Sequence, residues 1–125
     1  MICNALIVDD QSDIRKLIMM TMQSEKFELY EADNGEDAWR MACNLRPCIV
    51  LLDVMMPGSL DGFQVCEKIK TDDMLKLTTK VIMLTARGQT ADVERGHAVG
   101  CDAYMVKPFS PLALSGLVEK LIGSE

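Results

Sequence analysis

Five short apolar runs set the rhythm of the chain: Ala5 to Val8, Phe27 to Ala32, Cys48 to Leu52, Val81 to Leu84 and Ala103 to Val106, all rich in strand formers. Between them, apolar residues return every three or four positions, the period of a helix packed along one side. Strand then helix, five times over, predicts an α/β doubly wound fold, a parallel sheet with helices on both faces. The first helix begins near Ser12 and Asp13, both good helix-starting residues, and aligns Ile14, Leu17, Ile18 and Met22. The second uses Ala38, Met41, Ala42 and Leu45, follows the turn Asp33-Asn34-Gly35 and is stopped by Pro47. The last carries the clearest stripe, Leu114, Leu117, Val118, Leu121 and Ile122, and ends at Gly123.

The helix before the fifth strand is the weak one. Gly88, Gly96 and Gly100 punctuate Gln89 to Val99, and its apolar anchors are Ala91, Val93 and Ala98. An interior glycine costs about 1 kcal/mol of helix stability relative to alanine. This element is therefore the most easily displaced. No internal repeat, low-complexity tract or linker interrupts the pattern, so residues 1–125 are expected to form a single domain. A chain of this length supports one core, burying roughly two-thirds of the surface its unfolded form exposes.

Composition narrows the function. Hydrophobic residues make up 49% of the chain and charged ones 26%, which rules out disorder. The net charge of −6, with no basic stripe, argues against direct nucleic-acid binding. Neither a signal leader nor a membrane-length apolar run is present, so a cytoplasmic address is expected. The five cysteines, Cys3, Cys43, Cys48, Cys66 and Cys101, are odd in number and lack a C-x-x-C pair. They are read as small buried apolar side chains in a reducing compartment, without a disulfide framework or zinc site.

Four apolar runs end abruptly in a polar residue. Leu6-Ile7-Val8 meets Asp9-Asp10, Ile49 to Leu52 meets Asp53, Val81 to Leu84 meets Thr85, and Tyr104-Met105-Val106 meets Lys107. Open α/β sheets place their ligand crevice at the carboxyl ends of the strands, where all of these residues fall. If the first and third strands are neighbours, Asp9, Asp10 and Asp53 share one pocket. Two carboxylates about 4 Å apart repel by about 4 kcal/mol at an effective dielectric near 20. Such a cluster needs a cation or a raised pKa. Oxygen ligands without histidine or thiolate favour a hard ion, and Mg²⁺ is commonly held by one or two carboxylates, waters and a phosphate. Lys107 and Thr85 add an ammonium and a hydroxyl for phosphoryl oxygens, and Asp53 can act as a nucleophile that forms an acyl phosphate.

From about Asn4 to Ile122 the sequence resembles the receiver domains of two-component response regulators. The resemblance is carried by Val8-Asp9-Asp10, Leu51-Leu52-Asp53-Val54-Met55-Met56-Pro57, Asp61-Gly62-Phe63, Leu84-Thr85-Ala86 and Lys107-Pro108-Phe109. It implies a flavodoxin-like (βα)5 sandwich with strand order 2-1-3-4-5. It also implies that Asp53 accepts a phosphoryl group from a histidine kinase or histidine phosphotransfer protein. Asp10, Asp53 and the main-chain carbonyl of Met55 would touch Mg²⁺, with Asp9 assisting through water. Thr85 and Tyr104 would act as the switch, remodelling the face of the fourth helix, fifth strand and fifth helix toward a downstream protein or output domain. The implied state is a monomer or a phosphorylation-dependent dimer. A cis peptide at Lys107-Pro108 belongs to the same pattern.

The sequence departs from the family in one place: Gly58, Ser59 and Leu60 make three residues between Pro57 and Asp61-Gly62, where two are usual. The residues that tune phosphoryl lifetime in the family fall here on Met55 and Arg87, neither a good water-positioning base, which predicts slow self-dephosphorylation. Beyond catalysing its own phosphorylation and dephosphorylation, the domain is expected not to be an enzyme. A phosphatase with an aspartyl nucleophile needs a second acid where Met55 stands. A flavin site would need donors in place of Asp9-Asp10. A phosphate-independent interaction module on the same fold is the remaining alternative. Asp13 reads as a partner of its own helix start, His97 as an ordinary surface or half-buried helical residue, and Asp72-Asp73 as solvated loop.

Overall fold

Every strand of the sheet runs in the same direction, so each must return through a crossover, and the crossovers supply the helices that cover both faces. In this computed structural model the described residues are 2–86 and 90–123, with Thr90 described by its backbone alone. The strands are β1 (Cys3–Val8), β2 (Phe27–Ala32), β3 (Ile49–Asp53), β4 (Lys80–Thr85) and β5 (Ala103–Val106). They lie in the order β2-β1-β3-β4-β5. The principal helices are α1 (Ser12–Met22), α2 (Gly35–Leu45), α3 (Gly62–Thr71), α4 (Thr90–Ala98) and α5 (Pro111–Ile122). A single helical turn, Leu75–Thr78, precedes β4. The expected doubly wound, flavodoxin-like arrangement is the one observed.

Alternation along the strands builds two cores. Leu6, Val8, Val50, Leu52, Val81 and Met83 face one side and meet Ala38 and Ala42 of α2 with Phe63, Val65, Cys66 and Ile69 of α3. Ala5, Ile7, Ile49, Leu51, Ile82 and Leu84 face the other and meet Ile18 and Met22 of α1 with Leu114 and Val118 of α5. All five residues of β3 are buried, as its continuous apolar run implies for a central parallel strand.

Helix ends follow local chemistry. The Asn34 side chain accepts from the Asp37 amide at 2.8 Å and caps α2. Ser110 caps α5 in the same way, with Pro111 at its first position. Asp72 does more than the solvated-loop reading allowed: its carboxylate accepts from the amides of Met74 and Leu75 at 3.1 and 2.9 Å, starting the short helical turn. Gly88 and Gln89, part of the expected interruption before α4, lie outside the described residues.

The cysteine reading needs correction. Cys3 and Cys48 are paired, with their Cα atoms 5.8 Å apart, within disulfide range. Of the remaining three, Cys66 is buried, Cys101 half-buried and Cys43 exposed. Sequence spacing could not reveal the pair, because 45 residues separate partners that meet only through the β1–β3 crossover.

Candidate functional site

The carboxyl ends of β1, β3, β4 and β5 meet at one rim, and the sheet register brings their polar residues together. Val8 is level with Leu52 on β3, so Asp9 and Asp53, each one residue further on, stand side by side. One carboxylate oxygen from each of Asp9, Asp10 and Asp53 lies within 4.8 Å of the others. Asp9 and Asp53 are buried while Asp10 is exposed, so the pocket opens to solvent past Asp10.

Lys107 bridges the two buried acids. Its ammonium lies 2.6 Å from Asp9 Oδ2 and 3.4 Å from Asp53 Oδ1. Asp9 Oδ1 also accepts from the Gln11 amide at 2.9 Å, and Asp53 Oδ1 from the Met55 amide at 3.3 Å. Nearby Arg15 does not neutralise the acids: it donates to the main-chain oxygen of Asp9 and pairs with Glu31, both at 2.7 Å. One ammonium among three carboxylates leaves the cluster short of positive charge. The deficit appears at Asp53, whose carboxyl is pushed up to about 6, first by burial and then by the charge of Asp9, against the opposing pull of Lys107. Thr85, the last residue of β4, is buried at the same rim, and its carbonyl accepts from the Lys107 amide at 2.6 Å. The Lys107-Pro108 peptide is cis, as the sequence pattern implied.

The family model for the response regulator receiver domain matches residues 5–119, a span that contains the whole rim. This chain belongs to that family. Among curated relatives of the receiver domain, transcriptional regulatory protein ResD of Bacillus subtilis (strain 168) is 42% identical over 106 residues. That alignment covers 85% of this chain and 42% of ResD, so the chain spans less than half the length of this relative. Among solved structures, chemotaxis protein CheY4 of Vibrio cholerae superposes with a TM-score of 0.87 at 29% identity, covering 97% of this chain and 99% of that one. The BeF3-activated receiver domain of DrrB, a Thermotoga maritima protein, also gives 0.87 at 29% identity, with coverages of 99% and 100%. The receiver domain has no helix among its described residues long and apolar enough to cross a membrane.

Tyr104 lies on β5 with its ring against Gly96, where a Cβ would come within 2.5 Å of the ring edge. Its hydroxyl oxygen is buried without a hydrogen-bond partner among the described residues, and burial pushes the phenol up to about 12. Arg87 lies outside the described residues. Asp13 occupies the first turn of α1, and the acid cluster is formed by Asp9, Asp10 and Asp53. His97 is exposed on α4.

Several supporting roles escaped the sequence reading, some of them at residues it had named. Gly62 starts α3 so close to β3 that a side chain there would collide with the main chain of Asp53 and Val54. Asp61 and Gln64 close a reciprocal capping box around that start, at 2.9 and 2.8 Å. The longer loop is braced from α2: Glu36 accepts from the Ser59 amide at 2.7 Å and from its hydroxyl at 2.5 Å. Gly58 holds φ at 98°, a left-handed conformation suited to glycine. The Asp61–Gln64 spacing was a readable capping signal, whereas Glu36 and Ser59 are brought together only by the fold.

Proposed function

We propose that the chain works as a phosphoacceptor receiver unit in which Asp53 takes a phosphoryl group from a phosphohistidine on a kinase or phosphotransfer partner. The carrying observation is a buried carboxylate at a strand end, flanked by a second buried acid and bridged by one lysine. An Asp53 carboxylate oxygen attacks phosphorus, the P–N bond breaks and imidazole departs. Lys107 pairs with phosphoryl oxygens, and the Thr85 hydroxyl donates to another. The acid cluster suits a hard divalent ion: Asp10, Asp53 and the Met55 carbonyl would hold Mg²⁺, with Asp9 acting through water. When bound, that ion offsets the negative charge gathered by acids and phosphate.

Phosphorylation would then reset Thr85 and Tyr104 and alter the α4-β5-α5 face read by an output domain or separate partner. Relatives such as ResD are named transcriptional regulators, so a longer protein carrying this unit could reach DNA through another domain. We place the unit in the cytoplasm, as a monomer or a phosphorylation-dependent dimer. A phosphate-independent interaction module has no use for a buried acid pair sharing one ammonium.

Intact-mass spectrometry after treatment with acetyl phosphate tests this reading. The wild type should gain one phosphoryl group in Mg²⁺ buffer and none in EDTA, and Asp53→Asn should gain none. Equal labelling of Asp53→Asn would overturn the assignment. Met55 is 74% exposed and offers no base to orient water, so the phosphorylated form should decay slowly once the donor is removed. Rapid loss in Mg²⁺ alone would contradict that expectation.

A further inference from the structure

We propose that Cys3 and Cys48 are a redox modification site, a dithiol that closes reversibly to a disulfide at the end of the sheet opposite the acid rim. The inference rests on strand pairing and is independent of the phosphoacceptor reading. The Cys48 amide donates to the Asn4 carbonyl at 2.9 Å and the Cys3 amide to the Lys26 carbonyl at 2.8 Å. Ala5 is level with Ile49 just inside them. The two cysteines are therefore brought together by the β1–β3 ladder, with Cα atoms 5.8 Å apart. A thiol pair held this way has a high effective concentration in its reduced form.

Both residues are half-buried, within reach of a small disulfide or thiol, and neither belongs to the fully buried core. Opening the bond leaves the ladder and both cores intact, so oxidised and reduced forms both stay folded. The other thiols are poorer candidates. Burial pushes Cys66 up to about 12, burial also raises Cys101, and exposed Cys43 is raised as well, again chiefly by burial. Disulfide closure also needs a second sulfur within reach, which the strand pairing gives Cys3 and Cys48, so oxidation is directed to that pair.

The oxidant is a small-molecule disulfide such as oxidised glutathione. The Cys3 thiolate attacks one of its sulfurs, forming a mixed disulfide and releasing one glutathione. The Cys48 thiolate then attacks Cys3 Sγ and releases the second. Two protein thiols lose two electrons and two protons, and one glutathione disulfide becomes two thiols. The bond encloses β1, α1, β2 and α2, so it restricts the unfolded chain strongly and stabilises the fold.

The test equilibrates the full chain with oxidised glutathione or dithiothreitol, blocks free thiols with iodoacetamide, and maps peptides by mass spectrometry. The oxidised sample should show the peptides of Cys3 and Cys48 joined, with Cys43, Cys66 and Cys101 alkylated. Its Tm should exceed that of the reduced sample by about 10 °C. That gap should vanish in Cys3→Ser and in Cys48→Ser and persist in Cys43→Ser. Alkylation of all five thiols after oxidation, a linkage between other cysteines, or a gap that survives Cys3→Ser would overturn the proposal.

Discussion

Helices α3 and α4 lie on the same face of the sheet and flank the same rim, yet they are anchored in opposite ways. α3 buries Gly62, Phe63, Val65, Cys66 and Ile69. Among its residues with described side chains, α4 buries only Gly96. Its other ties are peripheral: Arg95 lies 3.6 Å from Asp61 and stacks 4.3 Å above the Phe63 ring. Exposed ion pairs of this kind contribute at most about 1 kcal/mol, whereas each large buried side chain of α3 contributes about 2 kcal/mol or more. One wall of the crevice is thus fixed and the other can shift at low cost, an asymmetry well suited to a device that must hold an acid still while changing its outer face.

The largest test of this contrast is a matched pair of truncations. Ile69→Ala should lower unfolding free energy in urea by about 4 kcal/mol, because Ile69 is fully buried, while Val93→Ala on α4 should cost under about 1 kcal/mol. Equal losses would break the comparison. Gly62→Ala comes next: the new methyl group meets the main chain of Asp53, so about 2 to 3 kcal/mol should be lost. Acetyl-phosphate labelling of Asp53 should slow in the same variant.

Gly96→Ala should have the smallest effect on stability, within about 1 kcal/mol, since the gain in helix propensity offsets the crowding of a movable ring. Its effect should instead be positional, displacing the Tyr104 ring outward and shifting its NMR resonances without phosphorylation. An unmoved ring in Gly96→Ala would show that α4 yields before Tyr104 does, sharpening the account of which part is soft.

The difference between the helices was half visible in the sequence. Gly96 marked α4 as weak, Gly100 lies two residues past its end at φ 89°, and the five apolar runs located every strand to within two residues at each end. The acid rim was legible because burial makes the strand interiors apolar, so Asp9, Asp53, Thr85 and Lys107 stand out where those runs stop. Residues whose role depends on contacts across crossovers were not legible. Nothing near Gly62 signals the approach of Asp53, nothing near Glu36 signals Ser59, and Cys3 gives no hint of Cys48. Met55 was legible as an apolar position two beyond the acceptor, but its exposure at the mouth of the pocket depends on how the loop leaves β3.

The alternation that builds two cores also partitions the molecule. A continuous layer of backbone separates the apolar residues beneath α1 and α5 from those beneath α2 and α3. A change of volume in one compartment has no direct path to side chains in the other, so losses on opposite sides should simply add. Sequence drift can therefore rework the buried lining of either side in turn, with the intervening sheet keeping the four strand ends in register.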